Sequence, residues 1–510
     1  MPRGVAAGAL LALALPKPGL SFLAWLVIGV PFAALLGARA ARRAAGLLAS
    51  VGAGYCGLSL YWIYSTCRFA GVPVPAALVA WAALVAFLSL HWAIYGALAF
   101  RLLRLPAAGR PWALAALWAG LEWLWGLTPR LPVDLLAYTQ WRSLALLQGI
   151  SVLGPHALSF LIVLWGASAA ELWRAPRAGA ARRNAGAAFA LAALWGAGGA
   201  WSLGGRTTAA DGPRIEVIQP NVDQYAKWDA RFAEDIWRTL DDLLGRPRGA
   251  RPDLVVLPEA ALPAWLDQPK GSAFAADAWV QAPEASAWIA NWARRLGSAM
   301  LVGAVSLSDG GAPHNSAAWF AADGSLTGLY HKRQLVPFGE FVPMRALLQP
   351  WIGILSQLGD IAPGPRRQAL FRLGAYPLAV SICYEAAFPR WARSDAGRGA
   401  RVFVNLTNDG WYKDTWAPYQ HFQANVFRAV ETRAFVVRAA NTGISGLIDP
   451  WGEVVARTPL GTVDRLDVRL PARDPFPNGS FYARHGELFG PACALAAIAA
   501  LLASLRRRNA

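Results

Sequence analysis

The 510-residue chain is 55% hydrophobic and only 15% charged, with a mean hydropathy of +0.32. That is too apolar for a soluble protein, yet the middle of the chain is too polar for membrane spans alone, so spans plus a water-soluble domain are expected. The net charge of +17 invites a nucleic-acid reading, but the arginines gather at the ends of apolar stretches and form no basic stripe with interleaved aromatics, which excludes a nucleic-acid partner and points to membrane topology.

The first apolar run, residues 5–15, would cover roughly 16 Å as a helix, against a hydrocarbon core of about 30 Å. It either continues through Pro16-Lys17-Pro18 or stops short of crossing. A signal peptide starting at Arg3 is the competing reading, weakened by a second apolar stretch that follows without a clean cleavage site. Further spans are expected over residues 20–36, 45–64, 75–100, 112–127, 151–173 and 187–203, completing an N-terminal bundle over 1–203, with a closing span over 488–505. That makes about eight. Arg39, Arg42 and Arg43 follow the second; Arg101, Arg104 and Arg110 the fourth; Arg174, Arg177, Arg182 and Arg183 the sixth; Arg506, Arg507 and Arg508 close the chain. The alternate loops carry chiefly Lys17, Arg68, Arg130 and Arg142. Basic residues near span ends stay in the cytoplasm, so both termini are expected inside and residues 204–487 outside. His91 and Glu122 are the main ionisable residues within spans. An intramembrane acid is functional by default, with an interfacial or paired structural carboxylate as the alternative.

From Pro213 the pattern changes to short apolar runs at 215–219, 253–257, 300–305, 317–320, 377–383, 401–405 and 435–438, which read as strands. Helix-length segments at 231–244, 284–296 and 418–432 lie among them, so one α/β domain with buried sheets is expected over 214–470.

The chemistry centres on Leu378-Ala-Val-Ser-Ile-Cys383-Tyr384-Glu385, where a thiol stands at or just past a strand end. A packed core cysteine is the plainer reading. Cys56 and Cys493 lie inside apolar segments and Cys67 just after one; with no CxxC there is no disulfide framework, so Cys383 reads as a thiol. Leu257-Pro258-Glu259 puts an acid just after a strand, where a helix cap is the alternative, and His331-Lys332-Arg333 with Val336-Pro-Phe-Gly-Glu340 adds a cation and a second acid around a Pro/Gly loop. Together they supply a base, a cation and a nucleophile. There is no GxxxxGK[ST], HExxH or EF-hand loop, so neither a nucleotide cofactor nor a metal is indicated.

This set resembles the Glu-Lys-Cys triad of the carbon-nitrogen hydrolase (nitrilase) superfamily, and with the spans around it the chain resembles the apolipoprotein N-acyltransferase family nearly end to end. Lys227-Trp228-Asp229, Gln219-Pro-Asn-Val-Asp-Gln224, His314-Asn315-Ser316, Asn408-Asp409-Gly-Trp411-Tyr412 and Asn441-Thr-Gly-Ile444 extend the match. The resemblance implies an αββα sandwich beside the bundle, facing the periplasm from the bacterial inner membrane. It implies transfer of an acyl chain from a phospholipid to the N-terminal amine of a diacylglyceryl-cysteine lipoprotein, with Glu259, Lys332 and Cys383 catalytic, Glu340, Tyr384 and Glu385 supporting, Trp228 engaging substrate, and no cofactor. A membrane-anchored amidase that gives its thioester to water is the alternative. The chain departs from the family after Glu122, where Trp125 and Leu131-Pro132-Val133 replace an expected arginine and a Phe-Pro-Trp loop.

Overall fold

Alanine- and leucine-rich runs build helices in the first part of the chain, and β-branched runs bounded by glycine and proline build strands from residue 214, as local propensity dictates. The computed structural model describes residues 2–128, 132, 135–206, 210–266, 285–308, 311–341 and 361–506. Arg130, Leu131, Val133, Glu284, Arg507 and Arg508, named above, lie outside the described residues. Two compact units emerge, one from Met1–Arg206, Thr415–Thr432 and Ser480–Ala510, the other from Thr207–Asp414 and Arg433–Gly479.

In the helical unit, four helices among the described residues are long and apolar enough to cross a membrane: Val74–Leu102, Pro155–Arg174, Gly179–Gly204 and Phe489–Arg506. Ala41–Ser59 and Tyr61–Phe69, bent by 42°, make a fifth if the pair is one span. The other apolar runs are helical but shorter. Residues 20–36 split into Phe22–Val27 and Gly29–Leu36, the run at 112–127 is Arg110–Gly126, and the first run is Pro2–Ala12. The run expected at 151–173 breaks at Gly154, whose φ of 79° is left-handed, and Pro155 then opens the long helix where its missing N–H costs nothing. Glu122 is buried, and its Oε1 accepts from the Leu136 backbone N–H at 2.9 Å, capping a 3-10 turn. Ala417–Thr432, read from the sequence as part of the α/β domain, groups with this unit instead. Its Gln420 donates to the Ser59 carbonyl and accepts from the Trp62 indole, and its Phe427 ring meets Tyr138 edge-on.

The other unit holds two six-stranded sheets. The first runs β12 (Asp464–Arg469), β1 (Arg214–Gln219), β2 (Leu254–Leu257), β3 (Ala299–Leu307), β4 (Pro313–Phe320), β5 (Leu326–His331). The second runs β11 (Val454–Arg457), β10 (Gly446–Ile448), β9 (Phe435–Ala440), β8 (Val402–Thr407), β7 (Tyr376–Ile382), β6 (Phe371–Leu373). Each has a parallel centre, β1-β2-β3 or β7-β8-β9, with antiparallel strands outside it. The period of two sorts the continuous apolar runs onto two faces. Leu254 and Val256 join a core with Val380, Ile382 and Val404 of the second sheet, so the sheets pack face to face. Val255 and Leu257 point the other way, onto Leu240 of helix Ala233–Gly245 and Ile289 of helix Ala285–Leu296. Each such side chain, wholly buried, contributes roughly 1.5–3 kcal/mol. The consequence for function is positional: the C-terminal ends of the parallel strands β2, β7 and β8 deliver Glu259, Cys383 and Asn408.

Candidate active site

Glu259 leaves β2 through Pro258 on a backbone held close to β3. A Cβ on Gly303 would come within 2.1 Å of the Pro258 carbonyl oxygen, so only glycine allows this approach, and the Ala261 N–H donates to the Gly303 carbonyl at 2.8 Å. Lys332 follows β5, its N–H donating to the Asn315 carbonyl of β4 at 2.8 Å. Cys383 follows β7 directly and opens the 3-10 turn Cys383–Ala387 with φ 50°. Ala260 and Phe338, beside the two site acids, are also left-handed. For residues bearing a Cβ this conformation costs roughly 1–2 kcal/mol each, strain of the kind that gathers at active sites.

The charges converge. Lys332 Nζ, 1% exposed, donates to Glu259 Oε1 at 3.1 Å and to Glu340 Oε1 at 2.7 Å. The Asn315 amide bridges the same two oxygens at 2.7 and 3.0 Å, and Glu340 Oε2 accepts from the Val336 N–H at 2.9 Å. Burial drives the Glu259 carboxyl upward, but Lys332, the Asn315 hydrogen bond and Lys227 outweigh it and hold the acid below its ordinary range. Burial opposes the Lys332 ammonium too, yet Glu259 and Glu340 keep it well above the usual lysine value. Cys383 is pushed up to about 12, by burial first and then by the Glu259 charge, with Lys332 pulling the other way. The resting site therefore holds a neutral thiol, an ionised acid and a charged lysine at neutral pH.

The Glu385 carboxylate is held by main-chain and hydroxyl donors. Its Oε1 accepts from the backbone N–H groups of Arg333 (2.5 Å) and Gln334 (3.0 Å), and its Oε2 from Ile382 N–H and the Tyr330 hydroxyl, both at 2.7 Å. One buried carboxylate thus ties the segment after Lys332 to the turn that carries Cys383. Tyr384 is half-buried, its ring edge-on to Phe388 at 4.9 Å. Trp228 lies in the 3-10 turn Ala226–Trp228. Around the site, Asp409 accepts from the wholly buried Arg438 at 2.8 Å, and Asn408 donates to Gln224 at 2.6 Å while accepting from Asn441 at 3.1 Å. The polar motifs 219–224, 408–412 and 441–444 are thereby accounted for largely as a network that fixes the loops.

Sequence reasoning left Asn315, Lys227 and Tyr412 without roles. The signal for Asn315 was available: His314-Asn315-Ser316 interrupts an otherwise apolar strand, and a polar run inside β4 needs partners. Among the described residues no cluster of His, Cys, Asp and Glu is arranged to hold a metal ion.

Residues 217–471 match the profile of the carbon-nitrogen hydrolases, and residues 7–168 that of the apolipoprotein N-acyltransferase N-terminal domain. Similarity to the protein named apolipoprotein N-acyltransferase in Geobacter metallireducens is 34% identity, covering 99% of this chain and 95% of that one. The chain belongs to the apolipoprotein N-acyltransferase family. A second member, from Rhodopseudomonas palustris, is 34% identical over 98% of this chain and 94% of its own. Among solved structures, the chain is similar to an amidase from Nesterenkonia sp., at 19% identity and a TM-score of 0.38, covering 52% of this chain and 94% of that one. Family membership thus extends over both units, the helical one as well as the one that carries Cys383.

Proposed function

We propose that this protein moves a fatty acyl chain from a membrane phospholipid, through a thioester on Cys383, to the N-terminal amine of a diacylglyceryl-cysteine apolipoprotein. The observation that carries this reading is the buried Glu259–Lys332–Glu340 cluster, whose Glu259 and Lys332 charges act on the Cys383 thiol, within a chain of this family. Because the thiol is neutral at rest, its proton has to leave during attack. Glu259 takes it as Sγ bonds to the ester carbonyl carbon, and Lys332 together with the N–H after Cys383 stabilises the oxyanion. The carbonyl re-forms, the C–O bond breaks, and protonated Glu259 returns the proton to the departing alkoxide, releasing lysophospholipid. In the second half the lipoprotein amine attacks the thioester carbonyl and Glu259 accepts its proton; the C–S bond breaks, and protonated Glu259 returns that proton to the leaving thiolate, restoring the thiol and the ionised acid. No ATP is consumed.

In this reading Glu340 keeps Lys332 charged, Glu385 sets the distance between lysine and thiol, and Tyr384 and Trp228 engage substrate. The functional division is 1–203 and 488–505 as an eight-span inner-membrane bundle and 214–470 as the catalytic domain, periplasmic, with both termini cytoplasmic. The alternation of basic loops supports that topology. Two lipid substrates are the reason a thiol enzyme needs such a bundle.

Intact mass of the purified protein with phospholipid, before and after adding a diacylated lipopeptide with a free amine, tests the reading. The expected result is an acyl increment on Cys383 that disappears as the peptide gains an amide-linked chain. An increment lost to water, with the peptide unmodified, would establish a hydrolase instead. Glu259→Gln separates base from bystander: acylation falls roughly 100- to 10,000-fold. Alkylation of Cys383 by iodoacetamide, which needs only the thiolate, moves the opposite way. Its pH profile shifts to lower pH, because the amide no longer repels the thiolate.

A further inference from the structure

Lys227 is a second buried lysine at the site, and the triad chemistry does not use it. It sits in the turn Ala226–Trp228, 2% exposed, with its N–H donating to the Asp223 carbonyl at 3.0 Å and its Nζ donating to the Glu259 carbonyl oxygen at 2.9 Å. The segment it grips is already constrained, by Gly303 against Pro258 on one side and by the left-handed Ala260 on the other. A surface lysine would serve for solubility; one buried on the main chain of the general base has been desolvated at a cost that something must offset.

We propose that Lys227 is a positioning residue for the proton transfer: it clamps the Glu259 main chain and places a second cation by the carboxylate, keeping Glu259 ready to accept the thiol proton. The inference rests on the acyl-transfer reading above and adds a component to it. Burial brings the Lys227 ammonium down to about 8 against the pull of the Glu259 charge and, once the thiol ionises, of Cys383. Lys332 and Asp409 act on Cys383, Glu340 pairs with Lys332, and the Tyr412 hydroxyl feels Cys383, Asp409, Lys332 and Glu259. Asp223, four residues before Lys227 and joined to it through the main chain, has its carboxylate engaged by Lys413 at 3.1 Å. Lys332 is shared between two acids, so one lysine faces two carboxylates; Lys227 supplies the missing positive charge.

The test measures single-turnover acylation of the full chain in detergent, by intact mass with phospholipid, across about pH 5 to about pH 9, for wild type, Lys227→Met and Lys227→Arg. Methionine keeps the length and removes the charge. The acid limb, which reports ionised Glu259, is expected to move to higher pH in Lys227→Met, with the rate on that limb lower by roughly tenfold. Lys227→Arg is expected to restore the wild-type acid limb. A folded Lys227→Met protein whose acid limb coincides with wild type overturns the proposal, whatever its absolute rate, since a merely structural lysine changes the amount of active protein and not the pH of the limb. Should Lys227→Met fail to fold, Lys227→Gln, which keeps a donor for the Glu259 carbonyl and removes the charge, is read on the same acid limb: a shift to higher pH supports the proposal and coincidence with wild type overturns it. A wild type that forms no adduct on Cys383 at any pH overturns the acyl-transfer reading itself.

Discussion

Cys383→Ala is expected to abolish acyl transfer while leaving the protein folded, with melting in detergent close to wild type and no acyl increment by intact mass. The loss is total because no thioester forms without Sγ, and no other cysteine is at the site: Cys56, Cys67 and Cys493 all lie in the helical unit. Folding survives because alanine keeps the Cβ and therefore the same backbone conformation, while removal of one buried sulfur costs on the order of 1 kcal/mol. Cys383→Ser is expected to lose most activity too, since Glu259, held below its ordinary range, is too weak a base to deprotonate an alcohol efficiently. The left-handed φ of 50° adds a stability readout. Cys383→Gly relieves that strain and is expected to melt above Cys383→Ala, by up to about 1 kcal/mol after the glycine's own entropy cost. Acyl transfer retained in a verified Cys383→Ala protein would remove Cys383 from the mechanism.

How much of this was legible in the sequence depends on how local the physics was. The strand ends that carry Glu259 and Cys383 were readable because the apolar runs before them are buried on both faces, and such runs announce themselves. β5 was not. Leu326–His331 is an edge strand with largely exposed or half-buried residues, so its composition carries little hydrophobic signal, yet it delivers Lys332. The partly exposed outer strands β6, β11 and β12 were missed for the same reason, and β10, though buried, because three residues are too few to show a period; pairing with a neighbour, not propensity, makes them strands. The helix Ala417–Thr432 was legible, but not its grouping with the helical unit, because helical periodicity reports a buried face without saying what buries it. For Glu385 the resemblance implied a supporting role, without saying what its carboxylate would touch. Only the fold shows that its oxygens are taken up by backbone amides from the lysine's segment and from β7.

Lys332→Met brings these threads to one measurement. The side chain is wholly buried, and its removal leaves the Glu259 and Glu340 carboxylates sharing one amide donor, Asn315. Breaking a buried ion pair by deleting one partner costs roughly 3–5 kcal/mol, so the variant is expected to melt well below wild type at neutral pH. The pH dependence separates this cause from lost packing. In the native protein Glu259 is held below its ordinary value, so its stabilising contribution is present above the ordinary glutamate range and fades as pH falls through the native value. In the variant the two acids repel, their protonation is favoured, and stability rises as pH falls. The gap between the two melting curves should therefore be widest at neutral pH and close toward acid. A gap constant with pH would mean that Lys332 holds the fold by its methylenes alone, and the electrostatic account of the site would fail with it. Activity separates the same two causes, because a packing defect is partly rescued by lowering the temperature, whereas loss of the oxyanion charge is expected to cost roughly 100- to 1,000-fold at any temperature where the protein stays folded.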